Sequence, residues 1–343
     1  MEILSQMINK GEFILQKRTR QPFIFLLILL LIFALLGMAG CQQQAAKKPI
    51  QPISKKPVAL APEVSKIKQE PTLTLYRSAT GQKQELKMEE YIKGVVAAEI
   101  GPKFPMEAMK AQAIVARTMT LALINYEHGT RGKHGTDASD DHTEFQAYDE
   151  KQITDRISKA VEATRGEILT YNGKFVYAEF HAVSKNKTAS IEESFPKLKN
   201  KVGSYIVPVK TNGMKYAPAK YRNWQVKVPR SEIKNIMGPK AGNLDDIRVS
   251  QKGPSGRALK ITAGSASIAG VDLRQSVGFD RLFSNYFSSI KAQGNNIVFK
   301  GSGWGHGAGM EQWGAFTMAK EGKKARQIVE HYYPTTTWTK LYK

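Results

Sequence analysis

Glu99 is the residue whose type and place most need a chemical explanation. Spacing by three and four puts it on one helical face with Ile92, Val95 and Val96, the apolar stripe of residues 87–100. A carboxyl group on the core side of a helix is costly to ionise, so its pKa rises and it keeps its proton near neutrality. That is the state a general acid needs. The same position also suits a buried glutamate paired with an arginine, or a helix-end glutamate turned to solvent. Arg117 falls with Ile114 and Leu121 on one face of the following helical segment, where a long cation needs an anionic partner. That partner is Glu99, an acidic or acetamido oxygen of a substrate, or another acid in a structural pair.

Residues 301–310 alternate glycine with other side chains and carry Trp304 and His306. Glycines there permit left-handed backbone and close approach to another group, which suits either a sugar platform or a tightly packed loop. The segment has no Gly-Lys-Ser/Thr step and no dinucleotide fingerprint, so phosphate cradling is not indicated. His134, Asp137, Asp140, Asp141, His142 and Glu144 gather within eleven positions. Their spacing matches neither a calcium loop nor a zinc-binding helix, and a solvated loop is the expected reading. No Gly-x-Ser-x-Gly elbow occurs, and Cys41 is the single cysteine, so disulfides within the chain, cysteine metal cages and nucleophilic triads all lack support.

Several elements must position these residues. Helical periodicity covers 87–100, ending at Gly101-Pro102, and a longer helix runs from Pro105 to about Tyr126. A polar loop over 127–150 and a short helix over 153–164 follow. Next come a strand at 168–171, an Asn172-Gly173 turn, and a second strand at 175–180. Residues 205–300 read as short strands with one helix at 230–237. After the glycine-rich segment, helices span 311–320 and 325–332, each closed by Gly322 or Pro334. Strand-rich and helix-rich stretches are segregated, which predicts an α+β fold of mixed sheets with several packed helices.

Upstream, Lys17, Arg18 and Arg20 precede an apolar run over 23–36 that closes on Gly37-Met38-Ala39-Gly40-Cys41. A basic flank before an apolar stretch marks a signal or membrane anchor over residues 1–41, with the remainder outside the cytoplasm. Met38-Ala39-Gly40-Cys41 is similar to a lipoprotein acylation box, so the tether is either a transmembrane segment or a lipid on Cys41. Residues 42–71, rich in Pro, Gln, Ala and Lys, read as an extended linker, and 72–343 as the folded domain. The net charge of +21 favours anionic partners. The basic residues are spread along the chain without a nucleic-acid-binding motif, so no nucleic-acid partner is expected.

Three stretches carry a family resemblance. They are Tyr91-Ile92-Lys93-Gly94-Val95-Val96-Ala97-Ala98-Glu99-Ile100, Ala108-Met109-Lys110-Ala111-Gln112-Ala113-Ile114-Val115-Ala116-Arg117-Thr118, and residues 303–315 from Gly303-Trp304-Gly305-His306 to Gln312-Trp313-Gly314-Ala315. With weaker matches at Phe180-His181-Ala182-Val183-Ser184, Ser255-Gly256-Arg257 and His331-Tyr332-Tyr333-Pro334, they resemble the stage II sporulation protein D family across about 72–343. The resemblance implies a lytic transglycosylase that cuts denuded peptidoglycan glycan strands during engulfment, beside a partner amidase, and needs no cofactor. The domain is shared with amidase enhancers, which implies the alternative of a non-enzymatic wall-binding activator. Glu99 falls on the family's acid/base and Arg117 on its helix arginine. His306, Gln312, Trp304 and His181 are implied as substrate-binding. Some relatives hold zinc through a histidine and two cysteines, but Ser139 and Phe145 stand at the cysteine positions, so no metal is expected. Lys185-Asn186 replace a glycine pair found in many relatives.

Overall fold

The computed structural model describes residues 58–343 apart from 201 and 203. The apolar run over 23–36, the acylation-box candidate at Cys41 and the first part of the expected linker lie outside the described residues. Among the described residues, no helix is long and apolar enough to cross a membrane.

The chain folds as α+β with small mixed sheets. Strands β1 (Thr72–Tyr76) and β2 (Lys83–Lys87) form an antiparallel hairpin, and β3 (Ala138–Ser139) adds to β1 in parallel. Helix α1 (Met88–Glu99) and helix α2 (Met106–Tyr126) follow β2 directly. The long α2 is the axis of the larger core. Its buried alanines, Ala108, Ala111, Ala113, Ala116 and Ala122, have little side chain to hold partners off, so α1, α3 (Asp155–Glu162) and strand β4 (Glu167–Tyr171) pack closely on it. Two C-terminal helices, α6 (Gln312–Lys320) and α7 (Ala325–Tyr332), complete its surroundings.

A second apolar core gathers residues between Trp224 and Phe299. It is built from β7 (Trp224–Pro229), α4 (Arg230–Met237), the meander β8 (Arg248–Lys252), β9 (Ala258–Ala263) and β10 (Ala266–Ala269), α5 (Gly270–Val277), and the hairpin β11 (Phe287–Gln293) and β12 (Asn296–Gly301). The chain then returns to the first core through the glycine-rich loop. There β13 (Met310–Glu311) pairs in parallel with β6 (Phe180–His181).

Three expectations change in detail. The stretch over 58–71 is no free tether: residues 62–65 form a helical turn that buries Val64, and the Ala61 amide donates to the Gly173 carbonyl at 2.9 Å. One apolar side chain with a place to insert is enough to dock a proline-rich segment that composition reads as extended. The polar loop at 127–150 is also more ordered than solvated. His134 bonds Glu144 at 2.7 Å and stacks on Tyr76 at 3.7 Å, while Asp137 accepts from the Thr74 amide at 2.8 Å. Third, Asn172 and Gly173, both at positive φ, make the expected turn, but the second strand stops after β5 (Lys174–Phe175). The Glu179 amide bonds back to the Tyr177 carbonyl at 2.9 Å, a tight turn that separates β5 from β6.

Candidate active site

Where the C-terminus of α1 meets the glycine-rich loop and β6, a cleft of about 460 Å³ opens. Glu99 is the last residue of α1 and lies half-buried in its wall. Burial raises its pKa above the ordinary carboxyl value. Its position at a helix C-terminus, the negative end of the dipole, pushes the same way. Against this, Gln312 Nε2 donates to Glu99 Oε2 at 3.0 Å, and the Ala147 amide and His142 also favour the charged form. Gln312 is the first residue of α6, so the start of one helix holds the acid at the end of another.

The opposite wall is formed by β6 and the glycine-rich loop. Gly303, Gly305, Gly307 and Gly309 all take positive φ, which lets the loop fold back against β6 with Trp304 and His306 in the cleft wall. Trp304 is fixed by backbone bonds in both directions with Val183 and packs on Tyr221 at 4.4 Å. Phe145 and Phe180 add apolar faces, and His142 and Gln146 add polar groups.

Both histidines are neutral. Burial holds His181 well below its usual pKa, and its Nδ1 lies 3.1 Å from the Ala308 carbonyl, which only accepts. Nδ1 therefore carries the proton, and Nε2 accepts from the Ser184 hydroxyl at 2.7 Å. That hydroxyl accepts in turn from Arg257 Nη2 at 3.1 Å. Arg257 is fully buried, and burial lowers it to about 10. Burial drops His306 to about 3, and its Nδ1 accepts from the Ala308 amide at 3.2 Å, which leaves Nε2–H facing Glu179. Neither imidazole is set up to take a proton at neutral pH, and both nitrogens of His181 are already bonded within the protein.

Glu99, Gln312, Trp304, His181 and His306 thus share one cleft, and Arg117 does not. Arg117 is fully buried, its Nε donates to Glu89 Oε1 at 3.0 Å, and its Nη1 donates to the Glu167 carbonyl at 2.9 Å. Its second guanidinium nitrogen closes a two-point pair with Glu89, which also accepts from Gly166 and Tyr342. The anion it needs is Glu89, ten positions before Glu99, so its work is to tie α1, α2 and β4 together. Glu179 and Gln146 also line the cleft without being site candidates from residue pattern, as do His142, weighed only as part of a metal cluster, and Phe145, noted only at a relative's cysteine position. For Glu179 the sequence shows only an acid within the apolar run over 175–180, with nothing to say which way it points. Among the described residues, no three His, Cys, Asp or Glu side chains gather as a metal-binding group.

A family model described as Stage II sporulation protein matches residues 76–171, and a second, for a domain of unknown function, matches residues 180–309. Over 275 residues the chain is 30% identical to the stage II sporulation protein D of Bacillus amyloliquefaciens, covering 76% of this chain and 77% of that one. To the stage II sporulation protein D of Bacillus subtilis it is 29% identical over 312 residues, covering 87% and 86%. An amidase enhancer of Bacillus subtilis is 25% identical over 72% of this chain and 40% of its own length.

Proposed function

Because this chain belongs to the stage II sporulation protein D family, we propose that it is a lytic transglycosylase of the sporulating cell's wall, with Glu99 as its acid and base. The observation that carries this reading is the Glu99 carboxyl group, its pKa raised by burial, held by Gln312 in a cleft walled by aromatic rings and imidazoles. Protonated Glu99 donates to the oxygen joining N-acetylmuramic acid to N-acetylglucosamine. As the bond breaks, the muramic C6 hydroxyl attacks C1 and closes a 1,6-anhydro ring. The Glu99 carboxylate then takes the hydroxyl proton and is reset. No water is consumed, so the paired-carboxylate spacing of ordinary glycosidases is not required. Trp304 and the phenylalanines offer faces for sugar rings, and His306 offers a polar edge, while His181 has both ring nitrogens bonded within the protein and holds the wall in shape. In this role the folded part works outside the cytoplasm, tethered through residues 1–41, on strands from which a partner amidase has removed the stem peptides.

The similarity to an amidase enhancer favours one second reading, a wall-binding activator without turnover of its own. Incubating the full chain with denuded glycan strands separates the two. The first reading expects strand cleavage that Glu99→Gln reduces by at least roughly 10²-fold while the variant still folds. Uncut strands together with faster amidase turnover on mixing would establish the second.

A further inference from the structure

An oxocarbenium-like transition state places positive charge at C1 of the cleaved sugar, and in the reaction above the only anion near it is the Glu99 carboxylate formed as the proton leaves. Arg117 has the wrong sign and lies elsewhere, and His181 and His306 are neutral. Of the described residues lining the cleft, Glu179 is the only acidic side chain besides Glu99.

The chain goes to some trouble to aim it. The turn between Tyr177 and Glu179 interrupts the strand and brings Glu179 to the cleft wall. Its carbonyl accepts from the Met310 amide at 2.9 Å and from the Tyr333 hydroxyl. Gly309, at φ +70°, lies so close that an added Cβ would meet that carbonyl at 1.9 Å. The backbone is therefore clamped from two elements, yet among the described residues nothing donates a hydrogen bond to the carboxyl group. His306 Nε2 stands 3.7 Å from it, beyond hydrogen-bonding distance. A rigidly placed carboxyl group without a protein partner, on the wall of a cleft, is set up to meet charge on a ligand.

We propose that Glu179 is a second catalytic residue, whose carboxylate stabilises the positive charge developing at the anomeric carbon while Glu99 moves the proton. This rests on the transglycosylase reading and adds no covalent step: the electron pair of the broken bond still leaves on the glycosidic oxygen, and the proton path through Glu99 is unchanged. Burial raises Glu179 to about 7, so its anion forms across the neutral range. The titratable groups facing it from neighbouring elements are uncharged there. His306 is lowered to about 3, Tyr333 is pushed well above its usual value, and Tyr205 is raised. Burial also raises Glu99, in the same cleft, above the ordinary carboxyl value.

The test compares the full chain with Glu179→Gln and Glu179→Asp on denuded glycan strands across pH. Wild-type kcat is expected to carry a limb that rises with pH through about 7, as Glu179 ionises. Glu179→Gln should lose the rising limb and roughly 10²–10³-fold in kcat, with KM changed far less. Glu179→Asp, which keeps the charge one methylene back, should retain the limb and part of the rate, and it serves if the glutamine variant does not fold. Kcat of Glu179→Gln within about twofold of wild type, or a rising limb that survives the substitution, would overturn the inference alone. Wild type that leaves strands uncut would remove the transglycosylase reading and this inference with it.

Discussion

Glu99 is governed by a balance: burial and the helix end raise its pKa, while Gln312, the Ala147 amide and His142 pull it back. The balance gives a signed prediction. Replacing Gln312 with leucine removes a donor that favours the carboxylate, so the pKa of Glu99 rises further. Catalysis needs the protonated form, and the falling alkaline limb of kcat in Gln312→Leu should therefore move to higher pH. A limb that stays put or moves down would detach Gln312 from the acid; a pH–rate profile reads this directly. Glu99 was legible from spacing alone, because a helix of known period fixes which residues share its stripe. Glu179 was not. Its direction depends on a turn at residues 177–179 that is set by partners at Met310 and Tyr333, far along the chain.

At the scale of elements, the buried Arg117–Glu89 pair settles which of the partners left open by periodicity the cation takes. Periodicity identified a cation on the core face of α2 and required an anion for it, and both hold. Two glutamates on α1 could serve, and which one does is decided by how α1 crosses α2. Arg117→Leu leaves Glu89 buried without its countercharge and should cost about 3–5 kcal/mol in denaturant unfolding. The surviving native fraction should keep the wild-type pH profile, since the cleft is untouched. A shift of that profile would return Arg117 to the chemistry. Gly309→Ala tests the clamp on Glu179: the left-handed backbone and the blocked Cβ position predict lower stability and lower kcat together. The helices at 106–126, 230–237 and 325–332 were legible to within a residue of their ends because each carries its own apolar stripe and stop signal. The small sheets were less so, since two-residue strands such as β3 and β6 exist only through their partners.

Across the whole molecule, burial has moved carboxyls and imidazoles in opposite directions. Glu311, fully buried, accepts from the Ser184 amide at 2.8 Å and is raised to about 7. A carboxyl that binds its proton more tightly when folded stabilises most at low pH, and that share is lost as pH climbs from its unfolded value through about 7. His306, lowered to about 3, works the other way: its contribution is lost as pH falls below the unfolded histidine value. Stability should therefore vary gently with pH in the wild type. Glu311→Gln unmasks one side, and its stability relative to wild type should improve by roughly 3 kcal/mol from pH 5 to pH 8. A pH-independent difference in denaturant unfolding would show that Glu311 does not titrate in that range.

The chemistry is tested most directly by the mass of the ends that the full chain creates on denuded glycan strands. Intramolecular attack by the C6 hydroxyl predicts muramic ends one water lighter than hydrolytic ends, and their loss with Glu99→Gln. Ends carrying the extra water, or anhydro ends formed undiminished by Glu99→Gln, would contradict the account.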